Sequence, residues 1–546
     1  MRLLSILFAA LLAVGCQTAP VSYTVLNEQI ASGKEVSPDA LRESFLSTPD
    51  LASRLERLSD LEEQALAIVE DEPLKLGSIG SAILDTYYGS LTGHYILARF
   101  YTHLETPEAA APHEAWVARI QSAMQKQADG SRERPLPTMT TVEARMYAVS
   151  RGWSPVGSIY QTSESTVFSL LLQAKPETGA LRSLNFDLSP YYQSVRQEFG
   201  GDEENPDFSP FTLIGLLAKQ NDTAAQAAVG AFLATQDRLD DAVNWLRAAS
   251  RTGNLLANAI LARIFWEQAR AAEDPDTRAE LLDEVMENYL HAIALGSADA
   301  MYALGVLYLN GQYGEDNLIS GVSLLQQAAN LDNSDASMFL AHLYYAGEVV
   351  EQDFATARTY YDSASKAGNP FALRAYARFI LDPSTSQEGD PELLEDLKNL
   401  AQEEDPESMV LVGNLYARGL GTEPSVRQAV RWFKKAVNHD SENASIVNEV
   451  AWTLTVSNNE ELRRPKYARR IMDHLMTTNA DARMRPEYMD TWAATCAVNG
   501  DFQRAVELQK EALEIAASDE FADVRDVLQE HLEIFQSGKT ITEAVP

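Results

Sequence analysis

The chain has 546 residues, 79 acidic against 44 basic, a formal charge of −35 and 45% apolar content. That length allows two or more domains and the apolar content is ordinary for globular protein. The acidity argues against binding phosphate backbones or anionic lipid through a general electrostatic attraction, which removes nucleic acid as a partner class.

At the start, Arg2 precedes an apolar run from Leu3 to Val14 that ends in Ala13-Val14-Gly15-Cys16, the pattern of a secretory signal over residues 1–15. The run is too short to span a bilayer, and no later stretch is long enough. Small residues directly before a Cys resemble the bacterial lipoprotein box, although Ala13 stands where Leu is usual. The resemblance implies lipidation of Cys16, and Gln17 in place of Asp implies sorting to the outer membrane, facing the periplasm, with membrane contact through the lipid only. Residues 16–37 then read as a flexible tether.

Residues 38–215 form a mostly helical module. A helix is predicted from Leu41 to Glu70, with Leu51, Leu55, Leu58, Leu61, Ala65 and Leu66 on its apolar stripe. Two more are predicted over His94–Leu104 and His113–Ala128. Val156–Gln161, Val167–Ala174 and Ala180–Leu188 are rich in β-formers, and Lys175–Gly179 supplies a turn, so a small hairpin or sheet is predicted near 155–188, with edges open to a partner strand. This gives an α+β region at about 75–200, then an acidic link near Gly200 to Pro210. The acidic clusters Asp202-Glu203-Glu204 and Glu403-Glu404-Asp405 suit solvated helix faces.

From residue 216 to 440 a helical pattern repeats. Segments starting at Ala300, Ala336, Ala372 and Ser408 lie 36 residues apart. Their first helices read Ala300, Leu304, Gly305, Tyr308, Gly311; then Ala336, Leu340, Ala341, Tyr344, Gly347; then Ser408, Val412, Gly413, Tyr416, Gly419. Positions i, i+4 and i+8 share a face, the small residue leaves room for a neighbouring helix, and the last Gly permits a helix stop. Second helices follow in phase: Gly321, Leu324, Leu325, Ala328; Ala357, Tyr360, Tyr361, Ala364; Ala429, Trp432, Phe433, Ala436. The third unit is degenerate, keeping Tyr376 and Ala377 but placing Pro383 where Gly should stand. These residues resemble the Sel-one-like repeat, best over Ser408 to Asn438, with coverage of about 224–440.

Residues 441–536 are similar to tetratricopeptide repeats, through Asn448–Trp452, Tyr488–Ala497 and Gly500-Asp501-Phe502-x2-Ala505-x6-Ala512-Leu513. Upstream, Ala225-x3-Val229-Gly230, Ala242-x2-Trp245-Leu246 and Ala257-x3-Leu261-Ala262 extend the array backward, for about seven or eight hairpins, before a tail at 537–546. The fold class implied is mainly α: an α-solenoid of stacked helical hairpins with a smaller, α+β, N-terminal module. The repeated aromatics read as core between hairpins, and Cys496 as a small core hydrophobe.

Chemistry is sparse. The eight histidines are scattered without a His-Glu-x-x-His, there is no Cys pair for a metal, and no phosphate or calcium loop; Ala148–Gly152 lacks the first Gly of a nucleophile elbow. His113 beside Glu114 reads as the polar start of a helix after Pro112. No catalytic residue, cofactor or metal is assigned. Aligned repeats do place His342, Arg378 and Asn414 at one first-helix position, where Val306 stands in the earlier unit; with Arg374 and Arg418 they form a candidate polar groove for a peptide carboxylate or acidic segment. The competing reading of these five is plain solvated surface. The function expected is a non-enzymatic, envelope-anchored scaffold binding partner proteins or peptides. Lipoproteins with similar repeats support polysaccharide secretion, an implication of the resemblance alone. The alternative is an envelope enzyme or peptidoglycan-modifying regulator with its active region in 75–200.

Overall fold

A computed structural model describes residues 21–69, 72–126, 128–163, 166–199, 208–314 and 317–544. The signal segment, Cys16 and the acidic cluster 202–204 lie outside the described residues. The chain divides into two compact units, Met1–Gln312 and Tyr313–Pro546.

The first unit opens with α1 (Tyr23–Ala31), α2 (Pro38–Leu46), α3 (Leu51–Ile68), α4 (Leu76–Thr86), α5 (Leu91–His103) and α6 (Pro107–Gln125). The expected tether thus carries a packed helix from residue 23. Tyr23 and Leu26 are buried, the Tyr23 ring lies 5.3 Å from that of Phe45, and its hydroxyl accepts from Tyr88 N at 2.8 Å. The single helix expected over Leu41–Glu70 is two, because Pro49 disfavours helical geometry at Thr48. The helix expected to begin at His113 begins at Pro107 and runs through Pro112. Proline suits the first turn, and the alanines between the two prolines carry the helix past the second.

Next come β1 (Leu136–Pro137), α7 (Thr141–Val149), β2 (Ser154–Gln161), β3 (Ser169–Lys175), β4 (Arg182–Asp187) and α8 (Ser189–Phe199). The sheet has order β1-β4-β3-β2, antiparallel except for the short β1–β4 pair, with Tyr160 opposite Leu170 and Leu170 opposite Phe186. Phe168, Leu170, Ala174 and Phe186 have no exposed surface. Burying each large one contributes about 2–3 kcal/mol.

The unit continues through α9 (Pro210–Lys219), α10 (Thr223–Thr235), α11 (Leu239–Ser250), α12 (Leu255–Ala271), α13 (Pro275–Ala294) and α14 (Ala298–Leu309). The expected boundary at 215/216 is not a break: α9 packs on α10, and β2 packs on both α10 and α12. Asn254 Nδ2 donates to Ser158 O at 2.7 Å, and a Cβ on Gly157 would stand 3.1 Å from the Asn254 side chain. The β2 edge, expected to be open to a partner strand, is therefore occupied in part by the start of α12.

The second unit contains α15 (Leu318–Ala329), α16 (Ser334–Ala346), α17 (Phe354–Ser365), α18 (Pro370–Leu381), α19 (Pro391–Gln402), α20 (Pro406–Arg418), α21 (Val426–His439), α22 (Ala444–Val456), α23 (Pro465–Thr478), α24 (Pro486–Val498), α25 (Phe502–Ile515) and α26 (Arg525–Gln536). One hydrophobic core runs without interruption from Met338 to Ile541. The fold class is the expected one, an α-solenoid with a small N-terminal sheet module. The tail is docked rather than loose: Ile541 is buried, Asn458 N donates to Glu543 O at 2.7 Å, and Glu543 N donates to Val456 O at 2.8 Å.

Candidate partner-binding surface

A turn recurs ahead of successive first helices. A residue with left-handed backbone precedes a polar residue at the helix start: Gly253-Asn254, Gly296-Ser297, Asp332-Asn333, Gly368-Asn369 and Glu404-Asp405, with Asn221-Asp222 ahead of α10. Asp222, Asn254, Ser297, Asn333 and Asn369 accept from backbone N–H groups of the first turn, which satisfies donors the helix itself leaves orphaned. Asp405 accepts instead from Ser408 Oγ at 2.6 Å. The cluster expected on a helix face at Glu403–Asp405 is this turn.

The residues read as repeat framework occupy framework positions. Ala300, Leu304, Leu340, Ala341, Ala436 and Ala505 are buried, as are Gly305 and Gly413. A Cβ on Gly413 would stand 2.5 Å from the Phe433 ring. Gly347 and Gly419 end α16 and α20 with φ of 75° and 72°, and Gly311 and Gly500 are also left-handed. Tyr344, Tyr416 and Trp432 are half-buried and pack on the core, and Tyr308 Oη lies 3.7 Å from Met286 Sδ.

The five groove candidates are not an unoccupied row. Arg374 pairs with Asp405 at 2.8 Å and Glu407 at 3.0 Å, and Arg378 reaches the same Glu407 at 3.3 Å. Arg418 donates to the Leu381 carbonyl. Asn414 is buried, its Nδ2 lying 3.4 Å from Glu449. His342 Nδ1 lies 3.0 Å from Tyr361 Oη, and burial lowers its pKa. All but His342 thus tie α18 to α20 or α20 to α22, and carboxylates from the next repeat neutralise Arg374 and Arg378. An acidic ligand would first have to displace Asp405 and Glu407.

The N-terminal unit holds titratable groups that sequence reading missed. Glu62 of α3 is fully buried, with Ser90 Oγ at 3.1 Å and a second hydrogen bond from Thr140 Oγ1. Burial, then the nearby Glu143 carboxylate, push its pKa up to about 8. Glu143 accepts from Met139 N at 2.8 Å and Thr138 Oγ1 at 3.0 Å. His94 is buried under Trp116 with its Nδ1 3.0 Å from that of His113, and burial, with the charge of His113 second, lowers its pKa to about 3. His113, expected to be a helix-start residue, is thus mid-helix and paired with a histidine. Glu62 has no exposed surface and Glu143 lines a small cavity of about 30 Å³, and the hydrogen bonds of both pairs join one helix to another. Among the described residues no group of three or more His, Cys, Asp or Glu is placed to hold a metal.

A third feature, also missed, is the outer side of α21, where Arg427, Arg431, Lys434 and Lys435 line an open groove of about 960 Å³. The signal was available: Ser425 to His439 contains no acidic residue in an otherwise acidic chain.

Segments 298–333, 334–369 and 406–441 match the Sel1 repeat family, and the degenerate unit between the last two does not. Among curated proteins there is no match. Among solved structures, a Sel1 repeat protein from Oxalobacter formigenes is similar at 16% identity and TM-score 0.40, over 58% of this chain and 90% of that one. The protective antigen c5321 of uropathogenic Escherichia coli, which displays an SLR fold, is similar at 15% identity and TM-score 0.39, over 93% and 97%. A thermophilic TPR protein of Thermus thermophilus gives 18% identity and TM-score 0.27, over 37% and 99%. Repeats of this kind are in general protein–protein interaction scaffolds. This chain carries three Sel1 repeats within a helical-repeat fold.

Proposed function

We propose that this protein is a non-enzymatic interaction scaffold of the bacterial envelope, binding partner proteins or peptides on its helical-repeat surface, and that lipid on Cys16 holds it to the outer membrane on the periplasmic side. The observation that supports binding is the unbroken core from Met338 to Ile541. Successive hairpins held on one core present their outward faces in fixed register, so little ordering is required when a partner docks. The tether rests on the run Leu3–Val14 and on Ala13-Val14-Gly15-Cys16. In the host, the native chain should sediment with outer membranes, and Cys16→Ser should release it or leave it unprocessed. Crosslinking of the full chain should join envelope proteins to residues of the repeats. Soluble wild-type protein would remove the anchor; absence of any crosslinked partner would remove the scaffold.

A further inference from the structure

The basic side of α21 is unlike the rest of the molecule. Arg427, Arg431, Lys434 and Lys435 are exposed at i, i+4, i+7 and i+8, opposite the buried Ala429, Val430, Phe433, Ala436 and Val437. The next second helix, α23, adds exposed Lys466 and Arg470. Tyr467 joins the two rows: Lys434 Nζ lies 5.2 Å and the Arg470 guanidinium 5.1 Å from its ring centre, and its hydroxyl is buried without a hydrogen-bond partner. Among the described residues none of these six cations has a carboxylate within ion-pair distance; single exposed cations such as Arg57, Arg182 and Arg251 share that state, but here six are gathered on two neighbouring helices.

Local stability does not account for the patch. Like charges four apart on a helix repel, and Arg427 lies in the first turn of α21, where the helix dipole favours an acid. In so acidic a chain this acid-free row of cations gathers repulsion with no carboxylate in reach: Lys435 Nζ meets only the Ala401 carbonyl at 3.3 Å and the Trp432 ring at 4.8 Å, and Arg427 and Arg431 stand outward. We infer that the α21–α23 face is a docking site for a short acidic peptide segment of a partner protein, bound extended. The inference deepens the scaffold reading and rests on it.

Charge and spacing choose this occupant. Residues four apart on a helix are about 6 Å apart along its axis, and alternate side chains of an extended peptide are about 6.6–7 Å apart on one face. Carboxylates at alternate positions therefore match the Arg427, Arg431, Lys434/Lys435 row, and the arginines can hold them bidentately. Ser425, Gln428 and Asn438 line the same groove and offer partners to a peptide backbone. The −35 charge of the whole chain repels a long polyanion, which favours a short acidic stretch.

The test uses the full chain and a fluorescein-labelled peptide of alternating Glu and Thr, followed by anisotropy. Saturable binding that weakens as salt rises and falls at least tenfold in the folded variants Arg427→Glu/Arg431→Glu and Lys434→Ala/Arg470→Ala, while Arg374→Ala on the first-helix side retains it, is the expected result. Unchanged binding in the folded charge-neutral variant Arg427→Gln/Arg431→Gln would overturn the assignment. So would tighter binding of phosphatidylglycerol vesicles or of oligo-dT than of the peptide, since the face would then serve a membrane or a nucleic acid. Envelope crosslinks retained by Arg427→Glu/Arg431→Glu, with peptide binding absent in the wild type, would remove this face and leave the scaffold standing.

Discussion

Replacing Glu62 with Gln should stabilise the N-terminal unit near pH 8 and do little near pH 4. The Glu62 carboxyl has no exposed surface and sits between the Ser90 and Thr140 hydroxyls. Its pKa rises to about 8 from an ordinary 4.5, through burial first and the Glu143 charge second. Because the folded value lies above the unfolded one, the native state holds a proton that the unfolded chain has already released. Stability from this group is complete below about pH 4.5 and falls as pH climbs to 8. At about 1.4 kcal/mol per pH unit the loss across that window is several kcal/mol, a large fraction of the roughly 5–15 kcal/mol that a domain possesses. Gln has nearly the same shape, needs no proton and still offers an acceptor and a donor to the two hydroxyls. Urea denaturation of the full chain near pH 5 and pH 8, with hydrogen exchange read on peptides from 51–69 and 136–149, separates the cases. The wild type should lose stability between the two conditions by a few kcal/mol more than Glu62→Gln does. Equal pH slopes for the two proteins, or an equal loss by the variant at both conditions, would refute a buried carboxyl held protonated.

Gly413→Ala should destabilise by about 1–2 kcal/mol: about 1 kcal/mol of better helix propensity is outweighed by overpacking, because the new Cβ meets the fully buried Phe433 ring at 2.5 Å. Gly500→Ala, with φ of 85° and nothing within 4 Å, should cost only the left-handed strain, about 1 kcal/mol; thermal melts that rank the two in reverse would contradict the packing argument. His531→Ala should cost about 3 kcal/mol near pH 6, since it strands the buried Asp490 carboxylate, which lies 2.9 Å from His531 Nδ1. Burial lowers the His531 pKa, but the Asp490 hydrogen bond and charge outweigh it and raise the value above 6.5. The charge-dependent part of the pair therefore stabilises fully below about pH 6.5 and declines as pH rises through the raised value; denaturation curves of the wild type and variant should draw closer at alkaline pH without meeting, because neutral His531 still fills its buried site and can donate to Asp490.

The parts of the fold legible in sequence are those where one residue type meets one physical demand. Leu304, Leu340 and Val412 recur because each first helix buries the same face, and Gly413 because Phe433 leaves it no room for a Cβ. The strands of 154–187 were readable because Val156, Ile159, Tyr160, Val167, Phe168 and Phe186 mark short apolar runs set off by clear turn signals. The recurring turn escaped notice because Gly, Asn, Asp and Glu all occupy its left-handed position, so its composition varies while its backbone does not. The docking of α1 was hidden because only Tyr23 and Leu26 of its nine residues are buried, too few to make a period. Partners were illegible throughout: His94 and His113 meet across the α5–α6 hairpin, and Arg374 finds Asp405 thirty-one residues on.

The groove candidates and the α21 face together separate two uses of positive charge in one acidic chain. First helices such as α18 and α20 pack on one another, so Arg374 and Arg378 lie within reach of the acidic start of the following first helix, at Asp405 and Glu407. Those arginines are consumed in joining repeats, and their positions in the aligned repeats report on stacking. Arg427 and Arg431 stand on a second helix, turned away from that stack, and the residues nearest to them along α21 are neutral or basic. The repeat pattern leaves the outward side of a second helix unconstrained by packing, so its charge can be set by what docks there. A cation that recurs where neighbouring helices touch is explained by the fold, as Lys435 is in part by the Ala401 carbonyl of α19; Arg427 and Arg431, outward on α21 with no carboxylate in ion-pair range, carry charge that the packing does not require.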